Sequence, residues 1–150
     1  RMVFVIGNGG SAANASHFAQ DLAKGTRKTL ETGKRIRALS LTDNSAFITA
    51  LSNDDGYDTI FEQQLRTFAN PGDYLIAISG SGNSPNIIKA IEWANANGVV
   101  TVGITGFEGG KLKQIANHSV NVPLNDMCTS ESVHSVILHY LILNLQSKFH

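Results

Sequence analysis

Apolar residues along this chain occur in short runs that alternate with longer segments of mixed character. Runs rich in β-branched and aromatic residues predict strands at 2–6, 35–42, 73–79, 99–105 and 118–124. The intervening segments predict helices at 11–24, 45–51, 57–68, 86–97, 111–116 and 130–147. Because the strands are almost continuously apolar, helices must cover both faces of the sheet. The pattern predicts an α/β fold, a three-layer αβα sandwich around a five-stranded parallel sheet.

Composition fits one ordinary globular domain over residues 1–150. Apolar residues make up 42% of the chain and charged residues 16%, and the 12 basic and 12 acidic side chains cancel. No net field favours nucleic acid or an anionic membrane, so neither is an expected partner. The single cysteine, Cys128, makes no internal disulfide, and no apolar run is long enough to span a bilayer. We therefore expect a cytoplasmic protein.

Two segments carry expectations about the ends and loops of the fold. A strand of buried type follows Arg1 directly, which predicts that an N-terminal helical segment is missing from this sequence. Residues 27–34 are basic and polar, a loop that either is solvated or reaches the phosphate site, and we predict the solvated loop.

Glycine-rich turns follow the first and third predicted strands, at residues 7–11 and 79–84. Each turn opens a helix, whose first backbone N–H groups and positive dipole end favour an anion. The hydroxyls of Ser79, Ser81 and Ser84 add neutral hydrogen-bonding groups. Neither turn has the lysine-bearing spacing of a nucleotide-hydrolysing loop or the spacing of a dinucleotide fold. Because ligands bind beyond the carboxyl ends of parallel strands, the turns predict a phosphate site there.

The helix after the first turn carries His17 and Asp21 at a spacing of i, i+4. This spacing places both side chains on one helical face, where they can hold a metal or share a proton beside the phosphate site. The two functions, phosphate binding and chemistry, are thus predicted within one turn-and-helix unit.

Several motifs together resemble the sugar isomerase (SIS) domain family. They are the sequence GNGGSAA at 7–13 followed by His17, the pair Asn53 and Asp54, SGNSPN at 81–86, Thr105 with Gly106, and GGKL at 109–112. Within this family the chain most resembles the phosphoheptose isomerases, which convert sedoheptulose 7-phosphate to D-glycero-D-manno-heptose 7-phosphate for lipopolysaccharide and other surface-polysaccharide precursors. The resemblance implies a flavodoxin-like or Rossmann-like sheet.

The resemblance also implies residues that bind the phosphosugar. Those expected at the phosphate and the sugar are Asn8, Gly9, Ser11, Asn53, Asp54, Ser79, Gly80, Ser81, Ser84 and Glu131. One zinc ion per site is implied, with His17, Asp21, Glu131 and His139 as ligands. Asp21 stands where the family has glutamate, Glu131 stands where it has glutamine, and Cys128 replaces an acidic residue.

Aldose–ketose interconversion moves a proton between adjacent carbons through an enediol and polarises the carbonyl group. We assign Asp21 and His139 as the acid/base pair, because a carboxylate and an imidazole can exchange protons near neutral pH. A metal at this position could act as catalyst or as organiser, and both interpretations stay open.

The last helix also bears on assembly. Glu131 and His139 are about 12 Å apart along a helix and on faces roughly 80° apart, so one ion is awkward to reach from both. Either the chelate is stretched or His139 reaches into a neighbouring subunit's site. The wide apolar face of the same helix favours a homo-oligomer, and we expect a homotetramer with its sites at subunit interfaces.

The function predicted from these residues is phosphosugar isomerisation. The alternatives are an isomerase of another phosphosugar and a non-catalytic phosphosugar-binding regulator of the same fold, such as one that binds the replication initiator DnaA. The presence together of His17, Asp21, Glu131 and His139 favours the enzyme.

Overall fold

The computed structural model describes residues 1–27, 29–33 and 35–149. Its centre is a parallel sheet of five strands in the order β2-β1-β3-β4-β5. The strands are β1 (Met2–Gly7), β2 (Arg37–Ser40), β3 (Tyr74–Ser79), β4 (Val100–Thr105) and β5 (His118–Asn121). The edge strands β2 and β5 are shorter than predicted. Positions 28 and 34 of the predicted loop at 27–34 lie outside the described residues.

In the described part of the chain, six α-helices connect and flank the strands. They are α1 (Gly10–Gln20), α2 (Ser45–Asp54), α3 (Ile60–Phe68), α4 (Pro85–Ala96), α5 (Gly110–Ile115) and α6 (Met127–Phe149). The predicted helix at 11–24 is divided, because α1 passes into a π-helical turn at Asp21–Gly25. The predicted helix at 57–68 begins as a 3-10 turn at Tyr57–Thr59. Within the described residues, no helix is both long and apolar enough to cross a membrane.

Apolar side chains of the strands alternate between two cores, one on each face of the sheet. Phe4, Ile6, Leu75 and Ala77 pack against α3, α4 and α5, with α2 at the margin. Val5, Ile78 and Ile104 pack against α1 and α6 on the opposite face. This alternation follows from the two-residue period of a strand, and it confirms the predicted αβα sandwich.

The strand order places a topological switch point between β1 and β3. The chain leaves β1 toward α1 on one face and leaves β3 toward α4 on the other, so a crevice opens between the two turns. Gly7 pairs in register with Ile78, which brings Asn8 and Ser79 level at the carboxyl edge of the sheet. Both glycine-rich turns therefore meet at one point, as the sequence predicted.

Asp126 explains why α6 begins three residues before the predicted start. Its Oδ1 accepts a hydrogen bond from the backbone N–H of Thr129 at 2.7 Å, the geometry of an N-cap. Hydrogen bonds from Thr129, first from its side chain and then from its backbone, hold the pKa of Asp126 below its ordinary value of 3.8. A lowered pKa means that the charged cap stabilises the fold above the unfolded-state pKa, and that this contribution is lost as the pH falls through the folded-state value.

Asp126→Ala should therefore lower the melting temperature at pH 7, and its difference from the unaltered chain should shrink on acidification to about pH 3. Thermal melts at the two pH values, with Asp55→Ala as an exposed control, measure the effect. An equal difference at both pH values would assign the loss to something other than the charged cap.

Candidate active site

The two turns line an open cavity of about 240 Å³ at the switch point. The described lining residues include the carboxylate of Glu131 and no lysine or arginine. They are Asn8, Gly9, Gly10, Ser11, Ile78, Ser79, Gly80, Ser81, Ser84, Met127 and Glu131. Most of the polar residues expected at the phosphate thus come together, and they offer hydroxyls and backbone amides rather than counter-charges.

Hydrogen bonds within the second glycine-rich turn, at residues 79–84, stabilise it. The backbone N–H of Gly82 donates to Ser79 Oγ at 3.1 Å, and that of Asn83 donates to Ser81 Oγ at 3.2 Å. Ser84 is the N-cap of α4, yet its side chain makes no capping hydrogen bond. The hydroxyl protons of Ser81 and Ser84 can therefore turn toward a ligand in the cavity.

The first turn leaves the N-terminus of α1 without a side-chain cap. Gly9 is the N-cap, with φ 55° and ψ −122°, a conformation that favours glycine. A glycine cap adds no side chain between the first turn of the helix and the cavity. The positive end of the α1 dipole is consequently available to an anion there.

Helix α6 packs directly onto both turns. A Cβ atom at Gly10 would lie 2.1 Å from Glu131 Oε2, and one at Gly80 would lie 2.3 Å from Met127 Sδ. The two glycines thus leave room for the ends of the Glu131 and Met127 side chains, which lie against the turns. The start of α6 forms one wall of the cavity.

Further along the contact between α1 and α6, three side chains converge. His17 Nε2 is 3.0 Å from His139 Nε2, and Asp21 Oδ2 is 3.3 Å and 3.8 Å from these two nitrogens. The two imidazole rings meet edge to face at an interplanar angle of 86°. Each of the three side chains offers one ligand atom, and all three atoms lie within 4.8 Å of one another. The group is a candidate metal site with two nitrogen donors and one oxygen donor.

This geometry separates Glu131 from the other three expected ligands. Glu131 lies against Gly10 at the cavity and is not part of the His17, Asp21 and His139 group. In the single chain, Glu131 and His139 therefore meet different groups of side chains, and His139 meets His17. A role for His139 in a neighbouring subunit's site stays a prediction. Metal binding by Glu131 stays a prediction.

Other expected sugar-binding residues lie apart from the cavity lining. Asn53 and Asp54 end α2, are exposed, and pair with each other through a 2.8 Å hydrogen bond from Asn53 Nδ2 to Asp54 Oδ1. Cys128, at the position of the family's acid, is exposed and lines a shallow depression with Asn14 and Glu131. Contact of Asn53 and Asp54 with the sugar stays a prediction.

Three residues outside the predicted ligand set help to build the site. Asn86 and Tyr57 hydrogen-bond the side chain of Asn8. His134 is fully buried, and its Nε2 lies 3.0 Å from the carbonyl oxygen of Thr105, which ties α6 to β4. Its Nδ1 has no partner among the described residues. These contacts join distant parts of the chain, so no local pattern indicates them.

Comparison with known proteins identifies the family. The SIS domain family matches residues 1–106. The phosphoheptose isomerase of Aliarcobacter butzleri is 41% identical over 137 residues, covering 91% of this chain and 71% of that protein. The structures of phosphoheptose isomerases from Neisseria gonorrhoeae and Francisella tularensis superpose with TM-scores of 0.89 and 0.90, each at 32% identity, covering 97% of this chain and 76% of theirs.

These matches agree with the architecture and with the motifs. They extend over both glycine-rich turns and over most of the helix that carries His139. The chain therefore belongs to the phosphoheptose isomerase family of SIS-domain enzymes.

Proposed function

We propose that this enzyme interconverts the ketose sedoheptulose 7-phosphate and the aldose D-glycero-D-manno-heptose 7-phosphate, a precursor of surface polysaccharides. The observation that carries the proposal is the arrangement along α1. Its N-terminus opens onto a cavity lined by neutral hydrogen-bonding groups and the Glu131 carboxylate, and His17 and Asp21 follow about two turns later, where His139 joins them. An open-chain sugar phosphate has its phosphate at one end and its reacting carbons at the other, so it needs two such subsites.

In this account the cavity holds the phosphate. Ser81 and Ser84 donate hydroxyl protons to phosphate oxygens, and the dipole of α1 adds positive potential. Ser11 and the backbone around Gly9 and Gly80 complete the cradle. We assign Glu131 to the sugar beside the phosphate, because its carboxylate can accept hydrogen bonds from sugar hydroxyls.

The acid and base in this account are Asp21 and His139. The Asp21 carboxylate removes the proton from the carbon next to the carbonyl group and returns it to the neighbouring carbon. The His139 imidazole exchanges a proton with the two oxygens as the carbonyl group changes position. Contact between His17 Nε2 and His139 Nε2 at 3.0 Å orients the His139 ring beside Asp21.

The three side chains also fit a divalent metal, and we propose zinc. A tetrahedral zinc ion with bonds of about 2.1 Å separates its ligand atoms by about 3.4 Å. The observed separations of 3.0, 3.3 and 3.8 Å bracket this value. Three protein ligands would leave one coordination position of the ion open, as in catalytic zinc sites. When bound, the metal supplies Lewis acidity toward the carbonyl oxygen of the sugar.

We further propose that the enzyme works as a homotetramer. Val136, Tyr140 and Leu143 on α6 are 67%, 64% and 64% exposed, which is unusual for a cluster of large apolar side chains. Leu141 and Leu145 of the same helix line an apolar groove over the sheet together with Val3 and Ile76. Burying these two apolar surfaces against further copies of the chain would remove them from water.

A turnover assay on a panel of phosphosugars tests the proposed reaction. We expect isomerisation of sedoheptulose 7-phosphate with a higher kcat/KM than for hexose or pentose phosphates. Faster turnover of a shorter sugar would transfer the assignment to that substrate. Tight binding of phosphosugars without turnover of any of them would support the regulator instead.

A further inference from the structure

A pair of side-chain amides, one of them buried, joins the two glycine-rich turns. Asn8 follows β1, and Asn86 lies in the first turn of α4 with 1% of its surface exposed. Asn8 Nδ2 donates to Asn86 Oδ1 at 3.0 Å, and Asn86 Nδ2 donates back to Asn8 Oδ1 at 2.8 Å. The hydroxyl of Tyr57 adds a third hydrogen bond, to Asn8 Oδ1 at 2.9 Å.

The direction of these hydrogen bonds is set by the backbone of α4. The N–H of Ile87 can only donate, and it is shared between Asn86 Oδ1 and the carbonyl oxygen of Ser84, each at 3.0 Å. The oxygen of Asn86 therefore faces Ile87, and its Nδ2 faces Asn8. The Asn8 side chain must place its Oδ1 toward that Nδ2. The backbone of α4 therefore fixes the orientation of the Asn8 amide through Asn86.

Counting donors and acceptors shows what Asn8 can still offer. Its Oδ1 has two lone pairs, and both are used, one by Asn86 and one by Tyr57. Its Nδ2 has two hydrogens, of which Asn86 takes one. Asn8 lines the cavity, so the group that it offers to a ligand is one N–H and no oxygen.

We propose that Tyr57 and Asn86 are positioning residues that hold Asn8 as a hydrogen-bond donor to a phosphate oxygen of the bound sugar. The proposal rests on the function proposed above, because Ser81 and Ser84 of the phosphate cradle line the same cavity. A donor-only amide favours an anionic oxygen, which only accepts, over a hydroxyl group that must also place its own proton. Tyr57 strengthens this preference by occupying the remaining lone pair of Asn8.

The variant Tyr57→Phe removes one hydroxyl from an exposed ring and tests the role of Tyr57. We expect the Kd and KM for sedoheptulose 7-phosphate to rise about two- to tenfold, the effect of one hydrogen bond, with kcat nearly unchanged. Tyr74 is the first residue of β3, at the end of the strand away from the cavity. Tyr74→Phe is therefore the matched control and should leave both constants unchanged. A Kd and KM in Tyr57→Phe equal to those of the unaltered chain would overturn the proposal.

A second measurement observes the side-chain amide of Asn8 directly, in protein of unaltered sequence. In protein labelled with ¹⁵N-asparagine, Asn8→Asp identifies the side-chain signals of Asn8 by their loss. We expect titration with sedoheptulose 7-phosphate to shift one of the two Nδ2 protons strongly and the other weakly. Binding without a shift of either proton would refute the positioning role alone, whereas failure of the unaltered chain to bind the phosphosugar would overturn both proposals.

Discussion

Replacing Asp21 with asparagine should reduce the kcat for sedoheptulose 7-phosphate by about 10²- to 10⁴-fold, the range expected when a positioned acid or base is lost. The amide keeps the size of the side chain, but it cannot accept the proton that the reaction moves. It also removes the anionic oxygen that lies 3.3 Å from His17 Nε2 and 3.8 Å from His139 Nε2. Bound zinc, measured by elemental analysis, should fall in the same variant, because one of three ligand atoms loses its charge.

Folding should be unaffected by this change, since Asp21 lies at the partly exposed start of the π-helical turn. Circular dichroism checks this point. Glu62→Gln is the matched control, because it makes the same exchange of carboxylate for amide on α3, across the sheet from α1. A kcat in Asp21→Asn within twofold of the control would remove Asp21 from the mechanism.

The double variant Ser81→Ala/Ser84→Ala should raise the KM for the phosphosugar about 10²-fold. A hydrogen bond to a charged group contributes about 1.5–3 kcal/mol, or about tenfold or more in affinity, and this variant removes two such donors. The phosphate is distant from the reacting carbons, so kcat should change far less than KM. Initial-rate kinetics over a wide range of substrate concentration separate the two constants.

Ser147→Ala is the control for the serine variant. Its hydroxyl donates to the carbonyl oxygen of Asn144 near the far end of α6, away from both turns. An unaltered KM in the double variant would move the phosphate away from the second turn. Backbone amides of that turn remain in the variant, so some residual binding is expected.

Local patterns were sufficient to predict the framework of this protein. The strands of the sheet interior are buried on both faces, so their sequences are continuously apolar and stand out from the helices. The pairing of His17 with Asp21 was also predictable, because it depends only on the i, i+4 spacing of one helix. The ends of elements were less predictable. Helix α6 begins early because Asp126 caps it, and β2 and β5 are short because they are edges.

The features of the site that the sequence did not predict depend on contacts between distant parts of the chain. The family resemblance predicted Asn8 as a sugar ligand, but its side chain is mostly engaged by Asn86, which is 78 positions away. The close approach of Glu131 to Gly10 likewise depends on how α6 crosses α1. The periodicity of a single segment does not indicate how two helices cross. His139 was expected through the family resemblance, and its meeting with His17 required the packed structure.

The isomerisation of sedoheptulose 7-phosphate, assayed before chelation, after chelation and after return of zinc, tests the central claim most directly. The account predicts turnover that chelation abolishes and zinc restores, because zinc held by His17, Asp21 and His139 would polarise the carbonyl oxygen of the sugar. Binding of the phosphosugar in the cavity should survive chelation, since that cavity is built from other residues. Turnover that is indifferent to chelation would contradict the metal site, and binding without turnover in every state would contradict the enzyme.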